Sequence, residues 1–110
     1  MKKICICTWY DEAIKDYGDV TRDINSNYCK QFGYDYIVDN TRRLPKRHPA
    51  WEKLPFCLEL LPKYDYVIWI DADACFRYNN NKINIDKILR HNKFYDVIFS
   101  FDHPREYDQL

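Results

Sequence analysis

Glycine is scarce in this chain, with only Gly18 and Gly33 among 110 residues. A phosphate-cradling loop of the GxGxxG or Walker type needs several glycines in close order, so both are excluded. Any phosphate must be held by a metal, by side chains or by ordinary backbone. Net charge is missing as well: 17 basic and 17 acidic residues cancel, and no nucleic-acid polymer is expected as a partner. Cys5, Cys7, Cys29, Cys57 and Cys75 contain no CxxC pair and are odd in number. Set mostly among apolar neighbours, they read as buried, reduced thiols. Long hydrophobic runs are absent too. The apolar stretch behind Met1-Lys2-Lys3 lasts only from Ile4 to about Tyr10 and has no small-residue cleavage site. No segment approaches the length that spans a bilayer, so a cytoplasmic location is expected.

What is present is apolar and aromatic material, 46% and 17% of the residues, which excludes a disordered chain. The length suits one small domain over residues 1–110 with a modest core. Ile4 to Thr8 reads as a buried strand, being an unbroken apolar run with polar boundaries. Asp19 to about Phe32 reads as a helix with Val20, Ile24, Tyr28 and Phe32 on one face, Asp19 as cap and Gly33 at C′. Tyr34 to Val38 is a second strand, and Asp39 to Pro49 a loop carrying Arg42, Arg43, Lys46, Arg47 and His48. Trp51, Leu54, Leu58 and Leu61 share a helical face, with Pro55 in the first turn and Pro62 at the end. Tyr66 to Ile70 is a third strand. The turn Asn79-Asn80-Asn81 leads to a short helix marked by Ile85, Ile88 and Leu89, which Asp86 helps to start, and Asp96 to Phe101 is a fourth strand.

This alternation predicts an α/β fold, a Rossmann-like parallel sheet with flanking helices. Ligands of such sheets lie at the strands' carboxyl ends, so Thr8 to Asp11, Asp39 to Asn40, Asp71 to Asp73 and Asp102-His103 should converge there. Asp71 and Asp73 stand out. They follow the apolar run Tyr66-Val67-Ile68-Trp69-Ile70, and two nearby carboxylates repel one another unless something positive neutralises them. A divalent cation carrying a diphosphate meets that need. The plainer alternative is that the two acids only begin a loop or cap a helix. Asp39 can accept hydrogen bonds from a base or ribose, or simply form a turn. The basic loop from Arg42 to His48 can attract a diphosphate, or be solvated. His48, His91 and His103 show no metal-ligand spacing.

Pro49-Ala50-Trp51-Glu52-Lys53-Leu54-Pro55, followed by Tyr66-Val67-Ile68-Trp69-Ile70-Asp71-Ala72-Asp73-Ala74-Cys75-Phe76, resembles the W-x-K-x-P helix and WxDxDA strand of glycosyltransferase family 34. Its members include yeast Golgi α-mannosyltransferases, fission-yeast α-galactosyltransferases and plant xyloglucan α-xylosyltransferases. Upstream, Asn27-Tyr28-Cys29-Lys30-Gln31-Phe32-Gly33-Tyr34 is similar to the family's Y-x-x-x-x-G-Y helix end. The resemblance implies the GT-A fold, in which the DxD acids hold Mn²⁺ or Mg²⁺ against the pyrophosphate of a sugar nucleotide. Carried over, Asp71 and Asp73 are metal and donor ligands, and Lys53 is a further donor contact; apart from the resemblance it reads as a solvated lysine opposite the Trp51, Leu54 and Leu58 face. Thr8, Trp9 and Tyr10 follow the first strand, where the family's nucleotide pocket begins. The implied donor is a UDP- or GDP-sugar, and the implied acceptor a glycan or glycoprotein. Ala72 replaces a serine common at the middle of the motif, with little expected effect on metal binding.

Family members continue with a second half that supplies acceptor-binding and further catalytic residues, and the Golgi members carry a membrane anchor. The chain therefore reads as the donor-binding half of a metal-dependent, retaining hexosyl- or pentosyltransferase, with catalytic residues unassigned. A catalytically inactive remnant or nucleotide-sugar-binding module is the alternative. A third reading is an aspartate-based phosphatase with Asp71 as nucleophile and Asp73 as acid. There the motif follows the first core strand and precedes Thr or Val, whereas here it follows the third and Cys75 comes next.

Overall fold

The computed structural model describes residues 2–77 and 85–99, and the chain divides into two compact units, residues 1–78 and 79–110. The first unit is built on three parallel strands, β1 (Ile4–Trp9), β2 (Asp35–Asp39) and β3 (Tyr66–Trp69), in the order β2-β1-β3. Strand β1, buried along its whole length, lies in the middle. Its register pairs Cys7 with Ile37 on one side and with Trp69 on the other. Because all three strands run the same way, Trp9, Asp39 and Trp69 end at one edge. The chain turns to opposite sides of β1 for β2 and β3, which makes the crevice above β1 and β3 a switch point of the kind that binds ligands.

Alternation of side chains along β1 divides the core. Cys5, Cys7 and Trp9 pack with Phe56 and Leu60 of helix α2 (Lys53–Leu60), joined by Ile37, Val67 and Trp69. All five cysteines are free thiols: Cys5, Cys7 and Cys29 are buried as expected, Cys57 is half-buried and Cys75 is exposed. Burial pushes the Cys29 thiol up to about 12. A hydrogen bond with the Cys7 thiol, at a sulfur separation of 3.8 Å, brings Cys57 down to about 7 against the effect of burial and with help from the Lys53 charge.

Helix α1 (Lys15–Phe32) ends as expected, with Gly33 at φ 77° and its N–H bonded to the Cys29 carbonyl. Its start differs from the expectation. Asp19 does not cap the helix: it lies inside it and accepts a 2.7 Å hydrogen bond from the Tyr10 hydroxyl. The chain enters through a 3-10 turn, Glu12–Ile14, capped by Asp11, which accepts from the Ala13 N–H at 3.0 Å. The inward face also differs. Val20 is exposed, whereas Gly18, Asn25, Tyr28 and Cys29 are buried. Gly18 is needed for close approach, since a Cβ there would come within 2.5 Å of the Tyr10 ring. Tyr10 and the polar anchoring described below, rather than apolar periodicity, set the rotation of α1.

Helix α2 is likewise rotated from its expected face. Glu52, Phe56 and Leu60, at intervals of four, point inward, and Trp51, Leu54, Leu58 and Leu61 are all exposed. Glu52 explains the rotation: its fully buried carboxylate accepts from the backbone N–H groups of Arg43 at 2.7 Å and Leu44 at 2.8 Å. These donors have no partner in a loop unless a side chain supplies one, so a buried acceptor is strongly favoured there. Pro55 lies within the first turn of α2, where a missing N–H costs little, and a 3-10 turn with Pro62 follows the helix.

In the second unit, helix α3 (Ile85–His91) forms where expected, with Asp86 in its first turn. Residues 96–99 do not form the expected fourth strand. They follow a turn in which the Tyr95 N–H bonds to the Asn92 carbonyl, and Val97, Ile98 and Phe99 are exposed. Apolar residues become a strand only where another strand accepts their backbone groups, and none does so among the described residues. Residues 100–101 of that stretch, Asn79-Asn80-Asn81 and Asp102-His103 lie outside the described residues. Among those described, no helix is long and apolar enough to cross a membrane.

Candidate functional site

A cleft of about 670 Å³ opens at the carboxyl ends of β1 and β3. Its walls bring together Asp71, Asp73, Lys53, His48 and Asp11, backed by the aromatic rings of Trp9, Tyr10, Tyr17 and Trp69. Three carboxylates face one lysine and one histidine, so the cleft favours a cation. An aromatic floor with few charged groups is the composition of a small-molecule site.

The loop that carries Asp71 and Asp73 is fastened to α1. The Thr21 hydroxyl donates to the Ala72 carbonyl. Asn25 donates to the Ala74 carbonyl at 3.0 Å and accepts from the Phe76 N–H at 3.0 Å. Tyr28 stacks on Phe76 with 4.1 Å between ring centroids. Within the loop, the Ala74 N–H closes a turn on the Asp71 carbonyl at 3.0 Å. Both carboxylates thus stand exposed on a backbone held at several points. Asp71 is further held by the Trp69 indole, which donates to its Oδ1 at 2.7 Å.

Lys53 reaches the cleft from the start of α2 and is exposed there. The basic loop upstream is mostly committed elsewhere. Arg42 bonds to the Leu44 and Arg47 carbonyls and lies 3.5 Å from the Glu52 carboxylate. Arg43 bridges Asp39 and Glu59. Its charge is held up by the Glu59 carboxylate and, against burial, by Asp39. Arg47 lies over the Trp51 ring, 5.4 Å from its centroid. From this loop His48 lines the cleft, and its Nδ1 accepts from the Ala50 N–H at 3.1 Å.

Asp39 lies at the end of β2 as expected, yet lines a separate, smaller cavity of about 210 Å³ with Lys15 and Arg22. Its Oδ1 accepts from the Asn40 and Thr41 N–H groups and the Thr41 hydroxyl. Burial pushes the Asp39 carboxyl up, but Arg43 and these donors outweigh it and hold it below its ordinary value. Thr8 is placed still less openly: it is fully buried, does not line the cleft, and its hydroxyl has no hydrogen-bond partner among the described residues.

Among the described residues no three His, Cys, Asp or Glu side chains gather into a metal cage. Two exposed carboxylates on a fixed turn suit a hard cation that completes its shell with phosphate oxygens and water, the habit of Mg²⁺ and of Mn²⁺ in similar oxygen sites. Asp71 and Asp73 therefore fit such an ion. Thr21, Asn25 and Glu52 support the site without having been singled out from the sequence, and Trp69, quoted there within the WxDxDA run, also supports it. The only signal for Asn25 and Glu52 was a polar residue at a helical position that tertiary packing turned inward.

The model of the galactosyl transferase GMA12/MNN10 family matches residues 13–105. The chain belongs to that family. Galactomannan galactosyltransferase 1 of Cyamopsis tetragonoloba is 30% identical over 69 residues, a match spanning 60% of this chain and 16% of that protein. The solved structure of a glycosyltransferase involved in the glycosylation of the major capsid of PBCV-1 superposes with a TM-score of 0.60 at 19% identity. That likeness covers 78% of this chain and 44% of the other, and establishes the same fold. The expected α/β glycosyltransferase architecture is therefore present, over a part of the length of these relatives.

Proposed function

We propose that the cleft is the donor site of a glycosyltransferase, binding a nucleoside-diphosphate sugar together with Mn²⁺ or Mg²⁺. The supporting observation is that one crevice, at the switch point of the sheet, gathers Asp71, Asp73 and Lys53 in a chain of this family. Asp71 and Asp73 would hold the cation, which when bound supplies Lewis-acid stabilisation of the charge developing on a departing diphosphate. The Lys53 ammonium adds a second positive group for the same oxygens. Trp9, Tyr10, Tyr17 and Trp69 offer apolar faces to a base or sugar ring and exclude water from one side of the crevice. His48 can donate a hydrogen bond from its Nε2, its Nδ1 being occupied as acceptor by the Ala50 N–H.

The site would transfer a hexose or pentose to a glycan with retention at the anomeric carbon. The relative from Cyamopsis makes UDP-galactose and a mannan oligosaccharide the first pair to try. With Mn²⁺ present, the account expects release of the nucleoside diphosphate and, on transfer, an α-linked product by NMR. A β-linked product, or turnover indifferent to chelation, would contradict it. Metal-dependent nucleotide binding without turnover would identify this chain as a donor-binding module instead.

A further inference from the structure

Asp71 differs from Asp73 in one respect that concerns only this site. Its Oδ1 is held by the Trp69 indole N–H at 2.7 Å, and its Oδ2 has no hydrogen bond among the described residues. Residues two apart on an extended chain point the same way, so the last residue of β3 and the first acid of the loop share a side. The indole is itself anchored: Trp69 packs against the cluster of Cys5, Cys7, Trp9, Phe56 and Leu60, and its register partner Cys7 is fully buried on the central strand. An indole N–H can only donate, and an ionised carboxylate can only accept, so the bond has one sense.

We propose that Trp69 is a positioning residue for the cation: its N–H fixes the Asp71 carboxylate and leaves Oδ2 as that residue's single metal-facing oxygen. The inference rests on the reading of the cleft as a metal and nucleoside-diphosphate site. An exposed aspartate ordinarily samples several rotamers, and ordering it on binding carries an entropic cost. A half-buried ring packed against the core lowers that cost before the ion arrives. Among the described residues Asp73 has no hydrogen bond of this kind, and it is left to adapt to the ion and its waters. Outer partners that orient metal ligands typically change affinity 10–100-fold when lost.

The test is Mn²⁺ titration of the folded protein in the presence of UDP, followed by the electron paramagnetic resonance of free Mn²⁺. Trp69→Phe is expected to weaken Mn²⁺ binding by roughly 10–100-fold. Replacing the indole by the isosteric benzothiophene, which fills the same space without an N–H, is expected to do the same. That second variant separates orientation from packing. In the metal-free wild type, Asp71→Ala is expected to shift the Trp69 indole proton resonance. Wild-type binding with an undiminished affinity in the benzothiophene variant, or an indole resonance unmoved by Asp71→Ala, would overturn the role of Trp69. Absence of Mn²⁺ and UDP binding in the wild type would instead overturn the site reading on which it rests.

Discussion

Asp73→Ala is expected to leave the fold intact and to weaken metal-dependent binding of UDP or GDP by roughly two orders of magnitude or more. Fold retention follows from what holds the loop. The Thr21, Asn25 and Ala74 hydrogen bonds all act on main-chain groups of residues 71–76, and none uses the Asp73 side chain. Asp73 is exposed, so removing its carboxylate opens no cavity. The loss in binding follows from the small donor set. With two carboxylates available to the ion, deleting one removes half of the protein's anionic ligands and half of the charge that offsets its desolvation. Thermal denaturation and calorimetric titration of the same preparation check both halves. An unchanged affinity in a folded Asp73→Ala chain would remove this residue from the site.

Glu52→Ala is expected to have the largest effect on stability, lowering Tm by roughly 10 °C or more. The carboxylate is fully buried and satisfies two backbone N–H groups, with Arg42 3.5 Å away. Its removal leaves those donors without an acceptor in a water-poor place, and leaves Arg42 without a counter-charge. Glu52→Gln keeps the shape and one acceptor oxygen, and should fall between wild type and alanine. A pH dependence accompanies it. Burial pushes the Glu52 carboxyl up, but the Arg43 and Leu44 hydrogen bonds with the charges of Arg42 and Arg43 outweigh it, so the folded pKa lies below the ordinary 4.5. A group depressed in the folded state contributes stability that is complete above its unfolded pKa and is lost as pH falls through the folded one. Wild-type Tm should therefore decline as pH drops below about 4.5, and Glu52→Gln should flatten that decline. A Glu52→Ala chain as stable as wild type would contradict the structural role.

The parts of the fold legible in the sequence were those decided locally. Ile4 to Thr8 and Tyr66 to Ile70 are apolar runs that only a covered strand can bury, and Gly33 takes the left-handed backbone that ends α1. Asp71 and Asp73 followed from the second of those runs. What stayed hidden depended on partners distant in the chain. Asn25 meets residues 74 and 76, about fifty positions away, and so reads from the sequence alone as a solvated helix residue. Glu52 reads as one more charge beside Lys53 until the loop at Arg43 folds back on it, and that contact turns the leucines of α2 outward. The basic loop shows the converse: Arg42 and Arg43 read as solvated or phosphate-attracting, yet internal carbonyls and carboxylates claim both. Residues 96–99 had the composition of a strand, and no strand among the described residues pairs with them.

The central claim is that this crevice takes a nucleoside diphosphate through a metal held by the DxD acids. Calorimetric titration of the folded wild-type chain with UDP and with GDP, in Mn²⁺ and again in chelator, tests it most directly. The account predicts saturable binding of at least one nucleotide in Mn²⁺ and its loss in chelator. No binding of either nucleotide in Mn²⁺, or binding of equal strength in chelator, would contradict it.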